Sequence, residues 1–161
     1  MKKFELTNEF VTNMFGTKLF RIRALVEFGD VEAGELGGYV EKESNLGHDD
    51  NAWVYDNAWV YGNARVYGDA LVYDNARVYG DAWVYGNARV CGDALVCGDA
   101  RVCGNGDYAY AHGFGSVNRT TTFFRLKDGG VGVRCGCFYG TLAQFRDKIR
   151  ETHGETKKAQ E

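Results

Sequence analysis

The chain has 161 residues, enough for one domain with small appendages. A formal net charge of −3 is too mild to point to nucleic acid or to an anionic membrane, and no stretch approaches the roughly 18 apolar residues of a membrane span. The five cysteines are odd in number and lack paired C-x-x-C spacing, which fits reduced thiols better than a zinc site or a disulfide framework. The charge is uneven. Residues 1–50 carry ten acidic and six basic side chains, residues 51–104 six and four, and residues 105–161 six and nine.

The first ten residues, MKKFELTNEF, hold two lysines but no following apolar run of a secretory signal, so a cytoplasmic location is the expectation. Strands are expected near 4–6 and 18–28. Next comes a glycine-rich lead-in, Asp30-Val31-Glu32-Ala33-Gly34, then Gly37-Gly38-Tyr39-Val40 and Asn45-Leu46. Its expected task is to cap a first coil whose open strand edges would otherwise invite aggregation.

From Asn51 to Gly104 the chain is nine consecutive hexads: NAWVYD, NAWVYG, NARVYG, DALVYD, NARVYG, DAWVYG, NARVCG, DALVCG, DARVCG. Within each hexad Ala and Val alternate with the third and fifth residues, so Ala and Val share one face of a short strand. The Gly/Asp-Asn/Asp pair that follows tolerates the positive φ of a sharp corner. Strands this short, with cores this small, suit a triangular coil of three hexads whose turns stack about 4.8 Å apart. Nine hexads then make three coils of 18 residues each.

An 18-residue coil fixes which outward residues stack. The third position gives the columns Trp53-Leu71-Arg89, Trp59-Arg77-Leu95 and Arg65-Trp83-Arg101, two of which bring Arg beside Trp for cation–π contact. The fifth gives Tyr55-Tyr73-Cys91, Tyr61-Tyr79-Cys97 and Tyr67-Tyr85-Cys103. The three cysteines fall on three faces, so they can neither pair within one chain nor share a metal. Six Tyr and three Trp thus decorate the exterior, either as ladders that stabilise parallel strands or as a contact surface rich in interface residue types.

The hexads, with valine at 54, 60, 66, 72, 78, 84, 90, 96 and 102 and alanines such as Ala58 and Ala64 four residues on, resemble the hexapeptide-repeat, left-handed β-helix superfamily. That resemblance implies the left hand, which periodicity alone does not. Many members place Gly after the aliphatic residue, whereas this chain has Tyr or Cys. The lead-in, over residues 20–54, resembles a group of bacterial and phage-encoded hexapeptide-repeat proteins. It implies membership and not a reaction.

After Cys103 the repeat decays, with Tyr108 and Phe114 keeping the six-residue step from Val102, so one degenerate coil is expected. TTTFFRLK, the turn Asp128-Gly129-Gly130 and VGVRCGCF read as a hairpin, with Cys135 and Cys137 on one strand face as core thiols. Thr141 and Gln144 form a capping box that starts a helix to about Thr152, with Leu142, Phe145 and Ile149 on one stripe and Gly154 as the stop. His153 suits the helix C-terminus. Arg119, Arg125, Lys127, Arg134, Arg146, Lys148 and Arg150 face only Asp128 and Asp147 over residues 119–150, as a solvated face or an anion site.

The expected fold class is therefore all-β dominated, a short left-handed parallel β-helix of three regular coils. The divisions are an N-terminal β lead-in and cap (1–50), the hexad region (51–116), a C-terminal ββα cap (117–154) and a polar tail (155–161). The expected function is non-enzymatic: a binding or scaffold protein presenting Trp53, Trp59, Trp83, Tyr61, Tyr79, Arg65, Arg77, Arg101, Arg125 and Arg134 to a protein partner or small anionic ligand. No cofactor or metal is expected, and homo-oligomerisation, with a trimer favoured, would fit. The superfamily also implies an alternative, acyl transfer from acyl-CoA, for which His112 and His48 are the candidate general bases. A phage-type lineage would suit host-factor inhibition or ligand sequestration.

Overall fold

The computed structural model describes residues 2–114 and 119–153. Gly154, the tail 155–161 and residues 115–118 at the expected boundary after the repeat lie outside it, as do the side chains of Phe114, Arg119 and His153.

The hexads coil as their periodicity demands. Nine two-residue strands follow one another: β4 (Trp53–Val54), β5 (Trp59–Val60), β6 (Arg65–Val66), β7 (Leu71–Val72), β8 (Arg77–Val78), β9 (Trp83–Val84), β10 (Arg89–Val90), β11 (Leu95–Val96) and β12 (Arg101–Val102). Each of the first six pairs in parallel with the strand three hexads on, Trp53 with Leu71 and Leu71 with Arg89 for example, so the three outward columns stand as their spacing requires. All nine valines are 0% exposed and the hexad alanines at most 1%. A triangular tube this narrow admits only small or β-branched side chains at close-packed density.

Corners are closed by backbone that bends the wrong way for most residues. Gly62, Gly68, Gly80, Gly86, Gly92 and Gly98 have positive φ. Asp56 (φ 54°) and Asp74 (φ 59°) do the same, and each carboxylate accepts the N–H one coil on, from Asp74 at 3.3 Å and Gly92 at 3.1 Å. Their side-chain bonds offset the strain that glycine avoids.

The lead-in explains itself once the coil is built. β1 (Phe4–Thr12) and β2 (Lys18–Ala24) form a hairpin, and β3 (Leu36–Val40) pairs antiparallel with β2 and in parallel with β5. β3 is thus one side of a partial coil beneath the first hexads, and Leu46 supplies a second by pairing with Val66. A Cβ on Gly37 would lie 2.5 Å from the Val54 carbonyl, and one on Gly38 2.7 Å from that of Ala58. Buried Asn45 donates to the carbonyls of Gly62 at 3.2 Å and Ala64 at 2.8 Å. Phe4 and Ile22 close the core at this end.

At the other end the expected degenerate coil does not form. A 3₁₀ turn at Asn105–Asp107, capped by Asp107 Oδ2 accepting from Cys103 N and Gly104 N, redirects the chain. It enters β13 (Tyr108–Phe114), which pairs antiparallel with β14 (Arg119–Arg125). The expected hairpin follows as β14 and β15 (Val131–Cys135). β16 (Phe138–Thr141) adds a fourth strand before the helix α1 (Leu142–His153). The C-terminal unit is therefore a four-stranded antiparallel sheet with one helix. Both bonds of the capping box are present: Gln144 N donates to Thr141 Oγ1 at 3.2 Å and Thr141 N to Gln144 Oε1 at 2.8 Å. Phe124 joins the core cluster as the plug. Cys137 lies in the turn between β15 and β16 and is exposed, not on the strand face, because Gly136 (φ 58°) reverses the chain one residue earlier.

Corner geometry makes a sharp prediction. In Gly86→Ala the new Cβ would stand 2.5 Å from the Cys103 carbonyl at a φ of +62°, so stability should fall by about 1–3 kcal/mol. Gly104→Ala, with extended backbone and nothing within 4 Å, should stay within about 0.5 kcal/mol of the parent. Urea unfolding midpoints check both.

Candidate functional site

The coil turns single side chains into ladders. Arg77 lies over the Trp59 ring at 4.1 Å and Arg101 over Trp83 at 4.2 Å, as the column assignment requires. Tyr61 stacks on Tyr79 at 5.1 Å and Tyr67 on Tyr85 at 5.2 Å, both nearly parallel. Tyr61 and Tyr79 are half-buried, and burial pushes both hydroxyls above their usual pKa. At Tyr79 neighbouring Cys97 adds to the rise, while Arg134 opposes it at both residues. Burial likewise pushes the Cys97 thiol up, against the opposing pull of Tyr79 and Arg134. All five cysteines are free.

Several expected site residues serve the fold instead. Trp53 is 0% exposed, because the lead-in lies across the first coil: Phe28 meets its ring edge-on at 5.2 Å, and Phe4 at 6.3 Å. It belongs to the core and not to a contact face. Arg125 is paired with Asp107 at 2.9 Å, bracing β14 against the turn that ends the coil. Arg134 is half-buried beside Tyr61, Tyr79 and Cys97. Arg125 and Arg134 thus fall on opposite faces of the sheet, because Arg134 pairs with Thr122 and side chains alternate along a strand.

The two candidate bases, His48 and His112, stand at opposite ends of the coil. His48 stacks on Phe4 at 4.3 Å, and its Nδ1 accepts from Lys3 N at 3.1 Å. Lys3 itself is buried and donates from Nζ to the carbonyls of Asp50 (2.9 Å) and Ala52 (2.7 Å). Desolvation lowers its pKa, while the Asp50 carboxylate opposes the shift. His48 is part of this clamp. His112 is exposed. Its Nδ1 shares a 2.8 Å hydrogen bond with Thr120 Oγ1, and Nε2 stands 3.8 Å from Asp93. The groove bordering Asp93 also contains Asp56 and Asp74.

One open groove collects charge of the other sign. It has a volume of about 460 Å³ along the β6–β9–β12 face and is lined by Arg65, Trp83 and Arg101 from the coil, Lys42 from the lead-in and Lys127 from the hairpin. Asp81 and Asp99 stand at its corner edge. None of the four cations forms an ion pair among the described residues. Arg101 is held by backbone, Nη1 donating to the carbonyls of Asp81 and Ala100 at 2.9 Å each. The columns announced Arg65, Trp83 and Arg101. Lys42 and Lys127 carry no periodic signal and come together only through the two flanking units.

Residues 58–74, 70–86, 82–98 and 88–104 match the YdcK beta solenoid repeat. This is a β-solenoid repeat protein. The match falls within the coil alone, so it speaks to the architecture and not to the groove. No curated protein matches the chain, and among the described residues no helix is long and apolar enough to cross a membrane.

The division between core and exterior tryptophan is measurable. Trp53→Ala should cost about 3–5 kcal/mol, as for other buried aromatic truncations. Trp83→Ala, at a site 37% exposed, should cost no more than about 1 kcal/mol. Thermal denaturation of the two variants separates them.

Proposed function

We propose that this β-solenoid protein is a non-enzymatic binding protein that holds a negatively charged ligand on its β6–β9–β12 face. The observation that carries this reading is a groove with four cations, Lys42, Arg65, Arg101 and Lys127, none of them ion-paired among the described residues, in a chain whose net charge is −3. Asp81 and Asp99 at the edge offset only part of that charge, and a cleft left with a positive excess focuses potential on an incoming anion. Trp83, held from above by Arg101, offers a flat apolar contact in the same groove.

The reading extends to the left-handed hexapeptide class, to homo-oligomerisation with a trimer favoured, and to a cytoplasmic, phage-type setting with a host factor as ligand. Its support is the hexad spacing, the lead-in residues 30–46 and the tyrosine ladders.

Acyl transfer is the second reading, favoured by the Thr120–His112–Asp93 arrangement, which orients an exposed imidazole. The neighbouring Asp56 and Asp74 weigh against it, since like charge repels the phosphates of an acyl-CoA.

Calorimetry with hexaglutamate and with inorganic tripolyphosphate tests the binding reading. At least one should bind, more weakly as salt rises, and the pair Arg65→Ala with Arg101→Ala should weaken it by about tenfold or more, equivalent to about 1.4 kcal/mol. Unchanged affinity in that double variant would remove the groove from the function. Acetyl-CoA binding abolished by His112→Ala would favour the enzyme instead.

A further inference from the structure

From the layout of this groove, we infer that its ligand is an extended acidic peptide segment of a partner protein, lying along the solenoid axis. The inference rests on the anion-binding reading above and adds the shape and class of the anion.

The cations do not converge on a point. Tyr39 and Val40 pair with Trp59 and Val60, so Lys42 stands one level before Asn63, and its Nζ lies 3.5 Å from Asn63 Oδ1. Asn63 Nδ2 donates to Asp81 Oδ1 at 3.1 Å, and Asp99 occupies the next level of the same corner. Lys127 N then donates to the Asp99 carbonyl at 2.9 Å, placing Lys127 one level beyond. Beside this column runs the ladder Arg65, Trp83, Arg101. At about 4.8 Å per level, the backbone positions of Lys42 and Lys127 are roughly 19 Å apart, with the two arginines between them. A single compact anion meets one or two of these groups. An extended peptide, advancing about 3.3 Å per residue, meets all four with about six residues and turns alternate carboxylates toward the groove.

The two acids in the groove choose between kinds of polyanion. Asp81 and Asp99 would repel a chain that presents only phosphates. A peptide brings backbone N–H donors as well as carboxylates, and the Asp99 carboxylate has no hydrogen-bond donor among the described residues. Among the described residues Trp83 is the one aromatic ring lining the groove, whereas tracks for single-stranded nucleic acid stack successive bases on several rings.

The test is titration of the full chain with di-, tetra-, hexa- and octaglutamate, alongside tripolyphosphate and octathymidylate. Affinity should climb by about tenfold or more from di- to hexaglutamate and then level off. Lys42→Ala and Lys127→Ala, at opposite ends and both exposed, should each weaken hexaglutamate severalfold and diglutamate by a smaller factor. Equal affinity for di- and hexaglutamate, or tripolyphosphate matching hexaglutamate, would leave a compact anion site and overturn the extended-peptide inference alone. Octathymidylate binding more tightly than hexaglutamate would overturn it in favour of nucleic acid. If none of these anions binds, the inference and the anion-binding function fall together.

Discussion

Everything in this molecule depends on the stacking of one small cross-section on the next. Valine and alanine fill a triangle with no spare volume, and the corner residues must take a left-handed φ for the chain to turn within two residues. Neither condition is useful without the other. A larger core residue would open the triangle and break the parallel ladder. A corner without glycine, or without an aspartate able to bond the next level, would stop the chain from closing a coil. Because these conditions repeat at each turn, any outward residue is brought directly over its counterpart 18 positions away.

That stacking makes the exterior a set of ruled lines. Arginine meets tryptophan and tyrosine meets tyrosine across successive coils. Each contact is worth little singly where exposed, of the order of 0.5–1 kcal/mol. Their larger consequence is positional. Side chains with many rotamers are held at regular heights on a rigid post, and less conformational entropy is lost when they engage a ligand.

The end pieces do two things at once. They cover the open ends of the tube with Phe4 and Ile22 on one side and Phe124 on the other, removing strand edges that would otherwise pair with a neighbouring molecule. They also deliver Lys42 and Lys127 to the ends of a ladder that the repeat supplies only with Arg65, Trp83 and Arg101. The groove is thus assembled from three parts of the chain, and the coil alone would hold only its middle.

The coil was legible in the amino-acid sequence because its determinants are local and repeated. Hexad period, the small core residues and the turn chemistry at each corner specify three coils, the identity of every column and the Arg–Trp contacts. The capping box at Thr141 was legible for the same reason, since its two bonds span three residues. Tertiary structure decided what depended on segments meeting from far apart. Trp53 sits in the same repeat position as Trp59 and Trp83, yet it is buried because Phe4 and Phe28 fold over it. Arg125 read as a free cation until Asp107 was brought against it. Tyr108 kept the six-residue step, but Asp107 had already turned the chain into an antiparallel sheet. Periodicity determines which residues share a line, and only the folded flanks decide which of those lines are covered and which are left facing a ligand.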